Sequence, residues 1–286
     1  MAERICFVGR GGCGKSLLAA NLSHALARMG YKVLLVGNDT SLSSTMLLRG
    51  EADIEPALEV YREEYEVELS EVMLPTPSGV WCMELGSIDP GRGCMARGLS
   101  LIDEMLEMQG IPEKLDLDYI FYDISGETPC TGYILPFRDN IMSRCILVTN
   151  SAFASVATAN AILQGIINTE KDEEFPIQLV VNQADQHEAR EQMAAYAARV
   201  HLEVLAYLDR WPELEYSCLD GRTIFDYAPQ SAAAAQFEAI AESLLSPTLQ
   251  VTPRPMPRRE LLTWLRGWQK RELAMRREED LEAAAR

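Results

Sequence analysis

Residues 9–16 have the types and spacing of a phosphate-binding loop. They read Gly-Arg-Gly-Gly-Cys-Gly-Lys-Ser and match the pattern G-x-x-x-x-G-K-[ST]. Glycines let backbone amides approach phosphate oxygens, and the following helix start adds partial positive charge. Lys15 would neutralise the β- and γ-phosphates, and the Ser16 hydroxyl would hold Mg²⁺. The pattern predicts that the chain binds ATP with Mg²⁺. The predicted nucleotide contacts in this loop are Gly11, Gly12, Cys13, Gly14, Lys15, Ser16 and Leu17.

The segments on either side of the loop strengthen this prediction. An apolar run at residues 5–8 precedes the loop, and a helical pattern over residues 17–29 follows it. This strand–loop–helix order is the context in which the motif binds phosphate. A glycine-rich turn without a ligand would explain neither the Lys-Ser pair nor its position.

The rest of the chain alternates short apolar runs with helical patterns. The predicted strands are residues 5–8, 32–36, 80–85, 119–122, 145–149, 177–181 and 204–208. Strands separated by helices predict an α/β fold, a phosphate-loop NTPase with a mostly parallel, doubly wound sheet and helices on both faces. Ligands of such a sheet bind at the carboxyl ends of its strands.

Two segments stand apart from this alternation. The acidic stretch 51–71 is expected to be a helical insertion on the surface, outside the core. A proline cluster near residue 255 is expected to end a domain of residues 1–250, which leaves a tail of residues 251–286. The tail pattern predicts an amphipathic helix. Its apolar side carries Leu261, Leu262, Leu265 and Trp268.

Composition narrows the class of protein. A hydrophobic fraction of 48% and a mean hydropathy of −0.08 are typical of a soluble protein, and no apolar run approaches the length of about 20 residues that spans a bilayer. No signal peptide is expected. Seven cysteines, an odd number, do not suggest a disulfide framework, so a reducing cytoplasm is the expected location. A net charge of −17 argues against nucleic acid as a partner.

Two cysteines and one aspartate form a second candidate constellation. Cys94 lies in a glycine-lined stretch just before a helical pattern, and Cys130 lies seven residues beyond Asp123. In phosphate-loop enzymes an aspartate closing a buried strand contacts Mg²⁺ or its waters, and the loop after it senses the γ-phosphate. A thiol on that loop would be coupled to the state of the nucleotide. The other five cysteines are expected to be small buried hydrophobic residues.

With these motifs the chain resembles the nitrogenase iron protein family. That family includes the reductase components of protochlorophyllide and chlorophyllide reductases and of the nickel-tetrapyrrole cyclase. The likeness runs from residue 1 to about residue 270. It is carried by the phosphate loop, residues 36–39 and 83–86, the loop at Cys94 with Arg97-Gly98, residues 122–130, Gly132, residues 135–136, Asn182 and Arg210. Residues 83–98 look most like the chlorophyllide-reductase branch.

The resemblance implies a cofactor and a set of partners. In this family two subunits share one [4Fe–4S] cluster, so Cys94 and Cys130 of each subunit would supply its four thiolates. The protein would then be a homodimer with the cluster on its two-fold axis. It would take electrons from a low-potential donor such as ferredoxin or flavodoxin. ATP in each subunit would drive their transfer to a separate nitrogenase-like catalytic protein.

The resemblance also implies roles for individual residues. Arg10 would reach across the dimer to the other subunit's phosphates. Asp39 and Glu127 would position water and Mg²⁺. Asn182 and Arg210 would lie near the nucleotide base.

Several positions depart from the family's pattern. The family has a lysine where this chain has Arg10, and an aspartate where it has Glu127. Its Asp-Pro-Lys-x-Asp segment is here Asp39-Thr40-Ser41-Leu42-Ser43, which keeps the first aspartate and loses a lysine and an aspartate. Near Arg210 a family aspartate is replaced by Trp211. The sequence therefore indicates a divergent member.

Two other functions fit the same motifs. One is a dimerising regulatory ATPase of the septum-site or chromosome-partition kind, without a cluster. Some of these proteins bind membranes through a C-terminal amphipathic helix. The tail of this chain, with Trp264 and Trp268, could be interpreted in the same way. A helix that wraps a partner subunit is the favoured interpretation of that tail, and no membrane is expected. The other is a scaffold that binds nucleotide without useful hydrolysis.

Overall fold

A single sheet organises the chain in a computed structural model that describes residues 2–86, 95–124, 126, 141–168, 176–247 and 251–284. Its strands are β1 (Glu3–Val8), β2 (Val33–Asn38), β3 (Leu74–Pro75), β4 (Trp81–Glu84), β5 (Tyr119–Ile124), β6 (Arg144–Thr149), β7 (Ile177–Asn182) and β8 (Glu203–Leu208). They lie in the order β3-β4-β2-β5-β1-β6-β7-β8. Every described pair is parallel except β3 with β4. The predicted mostly parallel, doubly wound sheet is confirmed.

Helices cover both faces of this sheet. They are α1 (Lys15–Arg28), α2 (Met46–Arg49), α3 (Ala57–Glu64), α4 (Met95–Met108), α5 (Ile111–Lys114), α6 (Phe153–Ile167), α7 (His187–Val200), α8 (Pro212–Leu219), α9 (Ile224–Tyr227), α10 (Ala232–Leu244) and α11 (Arg258–Ala284). One buried cluster joins α1 and α10 to the sheet through residues such as Leu22 and Phe237. The other joins α4, α6 and α7 to the opposite face through Leu99, Leu163 and Tyr196. Because both faces are covered, the central strands are buried over most of their length and most of their residues are apolar.

The acidic stretch 51–71 differs from its prediction. Part of it is the expected helix, α3, but Ala57, Leu58, Val67 and Leu69 are all buried in the hydrophobic core. The prediction of a surface insertion is therefore wrong for these residues. The prediction rested on the high density of carboxylates in this stretch. Burial is decided instead by its few apolar side chains, whatever the average charge.

The core also continues past the proline cluster. Met256, Leu261 and Leu265 are buried in the same cluster as the sheet. Asn160 on α6 donates to the Met256 carbonyl at 2.9 Å and accepts from its amide at 2.8 Å. The first turns of α11 therefore pack on the chain's own core, with Trp264 against Tyr196.

Among the residues described, no helix combines the length and the apolar character that crossing a bilayer requires.

Candidate nucleotide site

The phosphate loop connects β1 to α1 through two positions that only glycine can occupy. A Cβ atom on Gly9 would lie 2.2 Å from the carbonyl oxygen of Val148, and one on Gly14 would lie 2.2 Å from Nδ2 of Asn182. Gly14 also has a φ of +95°, a conformation that side chains disfavour. The loop is thus wedged against the carboxyl ends of β6 and β7.

Two hydrogen bonds fix the loop in this place. The Cys13 thiol donates to the Val148 carbonyl at 3.3 Å, and Asn182 Nδ2 donates to the Cys13 carbonyl at 2.9 Å. The Asn182 Oδ1 atom accepts from the Gln183 amide at 2.8 Å, so both ends of this amide group are engaged. Asn182 therefore braces the phosphate loop. Its predicted contact with the nucleotide base remains a prediction.

Lys15 and Arg10 carry the positive charges of the loop. Lys15 is buried, and its Nζ donates to the Arg10 carbonyl at 3.2 Å, which places the ammonium group across the loop. Arg10 is exposed and its side chain has no ion pair with any described residue. The Lys15 ammonium group thus lies within the loop, and the Arg10 side chain is exposed to solvent.

Asp123 is the last residue but one of β5 and lies close to Ser16. Burial raises the pKa of the Asp123 carboxyl group and the Asp39 charge adds to the rise, while the nearby Ser16 and Ser44 hydroxyl groups and Lys15 oppose it. The Oδ1 atom of Asp123 is buried and has no hydrogen-bond partner among the described residues. An unsatisfied, buried carboxylate oxygen beside a hydroxyl group is a donor set that fits Mg²⁺. The residues present therefore fit the predicted metal, with Ser16 and Asp123 as its candidate ligands.

The loop after β2 contains two of the departures from the family's pattern. Asp39 is half-buried and accepts from the Ser41 amide at 3.0 Å. The hydroxyl groups of Ser41 and Ser43, which replace a lysine and an aspartate, lie 2.7 Å apart and form a hydrogen bond. The family's pattern implies a lysine and an aspartate of opposite charge at these two positions. Here Ser41 and Ser43 are neutral and hydrogen-bond to each other.

Glu84, at the end of β4, belongs to this site and was missed by sequence reasoning. It is fully buried, and its Oε1 accepts from the Thr45 amide at 2.8 Å and from the Thr45 hydroxyl at 2.7 Å. Burial raises the pKa of Glu84 to about 7, and the Asp123 charge adds to the rise while the bonds from Thr45 oppose it. The available signal was a glutamate near the end of a predicted strand, a position comparable to that of Asp123.

Four unsatisfied atoms mark this end of the sheet. Six buried side-chain oxygen or nitrogen atoms in the described part of the chain lack a hydrogen-bond partner, and four of them lie at or just beyond the ends of β2, β4 and β5. These four are Asn38 Oδ1, Ser44 Oγ, Glu84 Oε2 and Asp123 Oδ1. Unpaired buried acceptors are costly, so their concentration at one edge is typical of a site that binds ligands.

Arg210 and Trp211 follow β8, the edge strand farthest from β3 in the sheet. Arg210 is exposed and lines a cavity of about 830 Å³ between α11 and the ends of β6, β7 and β8, and no phosphate-loop residue lines that cavity. The Trp211 indole donates to Gln236 Oε1 at 2.8 Å. Gln236 also bonds the backbone of Tyr207 and Asp209, so it holds this turn in place. Arg210's role near the base remains a prediction.

Three predicted site residues, Cys94, Glu127 and Cys130, lie outside the described residues. Of the five cysteines that are described, Cys218 is half-buried and the other four, Cys6, Cys13, Cys82 and Cys145, are buried. Burial raises the thiol pKa of Cys6, Cys13, Cys82 and Cys218, which disfavours the thiolate that binds metal. Within the described ranges, no group of three or more His, Cys, Asp or Glu side chains could hold a metal ion.

Solved structures of similar shape establish the fold. The MinC:MinD cell division complex of Aquifex aeolicus superimposes with a TM-score of 0.69 at 19% identity, over 87% of this chain and 98% of that one. The septum site-determining protein MinD of Pyrococcus horikoshii, complexed with Mg-ADP, gives 0.68 at 23% identity, over 86% and 97%. At these identities the likeness shows the fold alone. With the phosphate loop, it defines a phosphate-loop NTPase.

Sequence comparison then identifies the family. Residues 3–270 match the family of 4Fe-4S iron sulfur cluster binding proteins, the NifH/frxC family. The chain is 31% identical to nitrogenase iron protein 2 of Paenibacillus durus over 269 residues, 94% of this chain and 92% of that protein. It is 31% identical to the nitrogenase iron protein of Methanospirillum hungatei over 264 residues, 91% and 93%. The chain belongs to the NifH/frxC family, as the resemblance predicted.

Proposed function

We propose that this protein is an ATP-dependent iron–sulfur reductase component. It would act as a homodimer that passes low-potential electrons to a separate nitrogenase-like catalytic protein. The observation that carries this proposal is the meeting of Lys15, Ser16 and Asp123 at one end of the sheet. The strand that carries Asp123 leads along the chain towards Cys130, so one segment would serve both nucleotide and cluster.

The nucleotide chemistry follows from the charges of the site. Lys15 and the loop amides bind the phosphates, and Ser16 and Asp123 hold Mg²⁺. Asp39 and Glu127 orient the attacking water and the waters of the metal. Arg10 has no ion-pair partner among the described residues and serves the phosphates of the partner subunit, as an arginine finger does.

The cluster would be held by Cys94 and Cys130 of both subunits. The five other cysteines support this assignment, because four of them are buried, Cys218 is half-buried, and burial disfavours the thiolate of Cys6, Cys13, Cys82 and Cys218. Two thiolates from each of two chains satisfy a [4Fe–4S] cluster, which supplies one-electron chemistry at low potential. A ferredoxin or flavodoxin in the cytoplasm would reduce it.

Iron content tests the cofactor directly. Anaerobically purified protein should be brown and contain about four irons per dimer, as one [4Fe–4S] cluster requires. Cys94→Ser or Cys130→Ser should remove the iron, whereas the matched control Cys218→Ser should keep it. Full iron content in the Cys94→Ser, Cys130→Ser double variant would overturn the assignment.

A chelator tests the link between nucleotide and cluster. Mg·ATP should change how quickly a chelator extracts iron from the wild-type protein, with extraction faster in its presence. Asp123→Asn should keep the brown colour and lose this response. A colourless, iron-free dimer that still hydrolyses ATP would instead favour the regulatory ATPase, and an iron-free protein that binds ATP without hydrolysing it would favour a scaffold.

A further inference from the structure

The carboxyl group of Glu84 holds the end of the loop that contains Asp39. It accepts two hydrogen bonds from one residue, Thr45, and residues 39–45 make up the whole connection between β2 and α2. Arg49 secures the same loop, since its Nε donates to the Thr45 hydroxyl at 3.2 Å and its Nη2 donates to the Leu42 carbonyl at 2.9 Å. The loop is thus fastened at Thr45 by a side chain from a different strand.

Glu84 lies beside the candidate metal ligands. In the sheet, Gly37 pairs with Glu84 on one side and with Asp123 on the other. A Cβ atom on Gly37 would lie 1.9 Å from Glu84 Oε2 and 2.6 Å from the Cβ of Ser44. Glycine therefore leaves the space in which Glu84 and Ser44 meet, on the sheet face that also carries Asp123 and α1.

Packing alone does not account for a carboxyl group in this position. One of its oxygens, Oε2, is buried without a hydrogen-bond partner in the described part of the chain. A buried, half-satisfied carboxyl group destabilises a fold, and an apolar side chain of similar volume would fill the same space without that cost. What the carboxyl group adds is the pair of hydrogen bonds that it accepts from Thr45.

We propose that Glu84 is a positioning residue for the Mg²⁺-dependent part of nucleotide binding. By holding Thr45 it fixes Ser44 and Asp39 relative to Asp123, and so it shapes the metal side of the site. The phosphate loop is held separately, by Asn182 and by the Val148 carbonyl. This inference rests on the proposed Mg·ATP site and assigns to that site a residue that need not touch the nucleotide.

The test compares nucleotide affinity with and without the metal. The probe is ATPγS, measured by calorimetry in excess Mg²⁺ and again in EDTA. In Glu84→Met, which keeps the side-chain volume, the tightening by Mg²⁺ should fall by about tenfold while the affinity in EDTA stays within about twofold. Glu84→Gln keeps an oxygen for Thr45 and should retain most of the tightening.

Two further variants separate positioning from general destabilisation. Thr45→Val removes one of the two bonds to Glu84, together with the bond from Arg49 to the same hydroxyl group, and should lose part of the Mg²⁺ effect even if Glu84→Met fails to fold. Asp103→Asn changes a buried carboxylate on α4 and should leave the effect intact. Equal tightening in wild type, Glu84→Met and Thr45→Val would overturn the role of Glu84. No tightening in the wild type would instead contradict the Mg·ATP site.

Discussion

The two ends of β1 use buried charge in opposite ways. Near its start, Arg4 is buried and donates to Asp103 at 2.7 Å and also to Glu107, while Tyr122 donates to the same Asp103. No atom of these residues is among the unsatisfied buried groups of the described chain. Beyond its other end, Arg10 is unpaired with any described residue, and Asp123 has an unsatisfied oxygen.

The difference separates charge that holds the fold from charge that is available to a ligand. A fully bonded polar network adds rigidity and specificity, whereas a half-satisfied one costs stability until a ligand completes it. The comparison therefore predicts which substitutions reduce activity and which reduce stability.

The largest effect is expected at Arg10, which has no described ion-pair partner in its own chain. If Arg10 serves the partner subunit's phosphates, Arg10→Ala should lower ATP turnover by roughly 10³-fold while ATP binding stays nearly intact. Arg10→Lys should retain much of the activity. Steady-state turnover and equilibrium binding measure the two properties separately, and parallel losses in both would place Arg10 in its own subunit's site.

Exchanging one carboxylate at each end is the sharpest test of the comparison. Asp123→Asn should lower ATP turnover by about 100-fold or more, because metal coordination stabilises the transition state, while stability holds or rises. Asp103→Asn should instead lower the free energy of unfolding by about 3 kcal/mol, because Arg4 is left buried with a weaker partner. Urea unfolding and turnover on both variants check this, and the reverse assignment would break the comparison.

The carboxyl group of Glu84, beside the candidate metal ligands, should make stability depend on pH. The pKa of folded Glu84, about 7, lies above its ordinary value of 4.5. Between these values the unfolded chain loses the proton and the folded chain keeps it, so the free energy of unfolding falls as pH rises, by about 3 kcal/mol in all. Glu84→Gln should remove this part of the slope. Urea unfolding at pH 5 and pH 8 measures it, and identical slopes in the two proteins would contradict the prediction.

The smallest effect is expected from the Tyr122 hydroxyl. Tyr122→Phe removes one hydrogen bond to Asp103 and leaves the bond from Arg4, so stability should fall by about 1 kcal/mol. Turnover should be unchanged, although the neighbouring residue in the chain is Asp123. A large loss of turnover would show that the two faces of β5 are not independent.

Sequence alone predicted the parts of the molecule that local patterns encode. The phosphate loop, the central strands and the parallel sheet follow from motifs and apolar runs shorter than ten residues. The two-residue strand β3 carries too little pattern to be predicted. The bond from Thr45 to Glu84 joins residues 39 apart, and it depends on the sheet register that pairs Glu84 with Gly37.

The same reasoning explains which contacts the sequence patterns did not reveal. The family's pattern predicts that Asn182 lies near the nucleotide base, and that prediction stands; only the three-dimensional structure shows that its amide group also supports Cys13. The packing of α11 depends on a partner, Asn160, that lies 96 residues from Met256 in the chain. Long-range contacts of this kind leave no local signature.

The braces on the phosphate loop also set an order of events during synthesis. The loop leaves the ribosome early, yet the Val148 carbonyl that fixes Cys13 follows 135 residues later, and Asn182 follows 169 residues later. At ordinary translation rates this delay is roughly 10–30 seconds. A nascent chain therefore carries the complete motif well before it can hold a nucleotide firmly, and ATP cannot stabilise the chain until β7 has emerged.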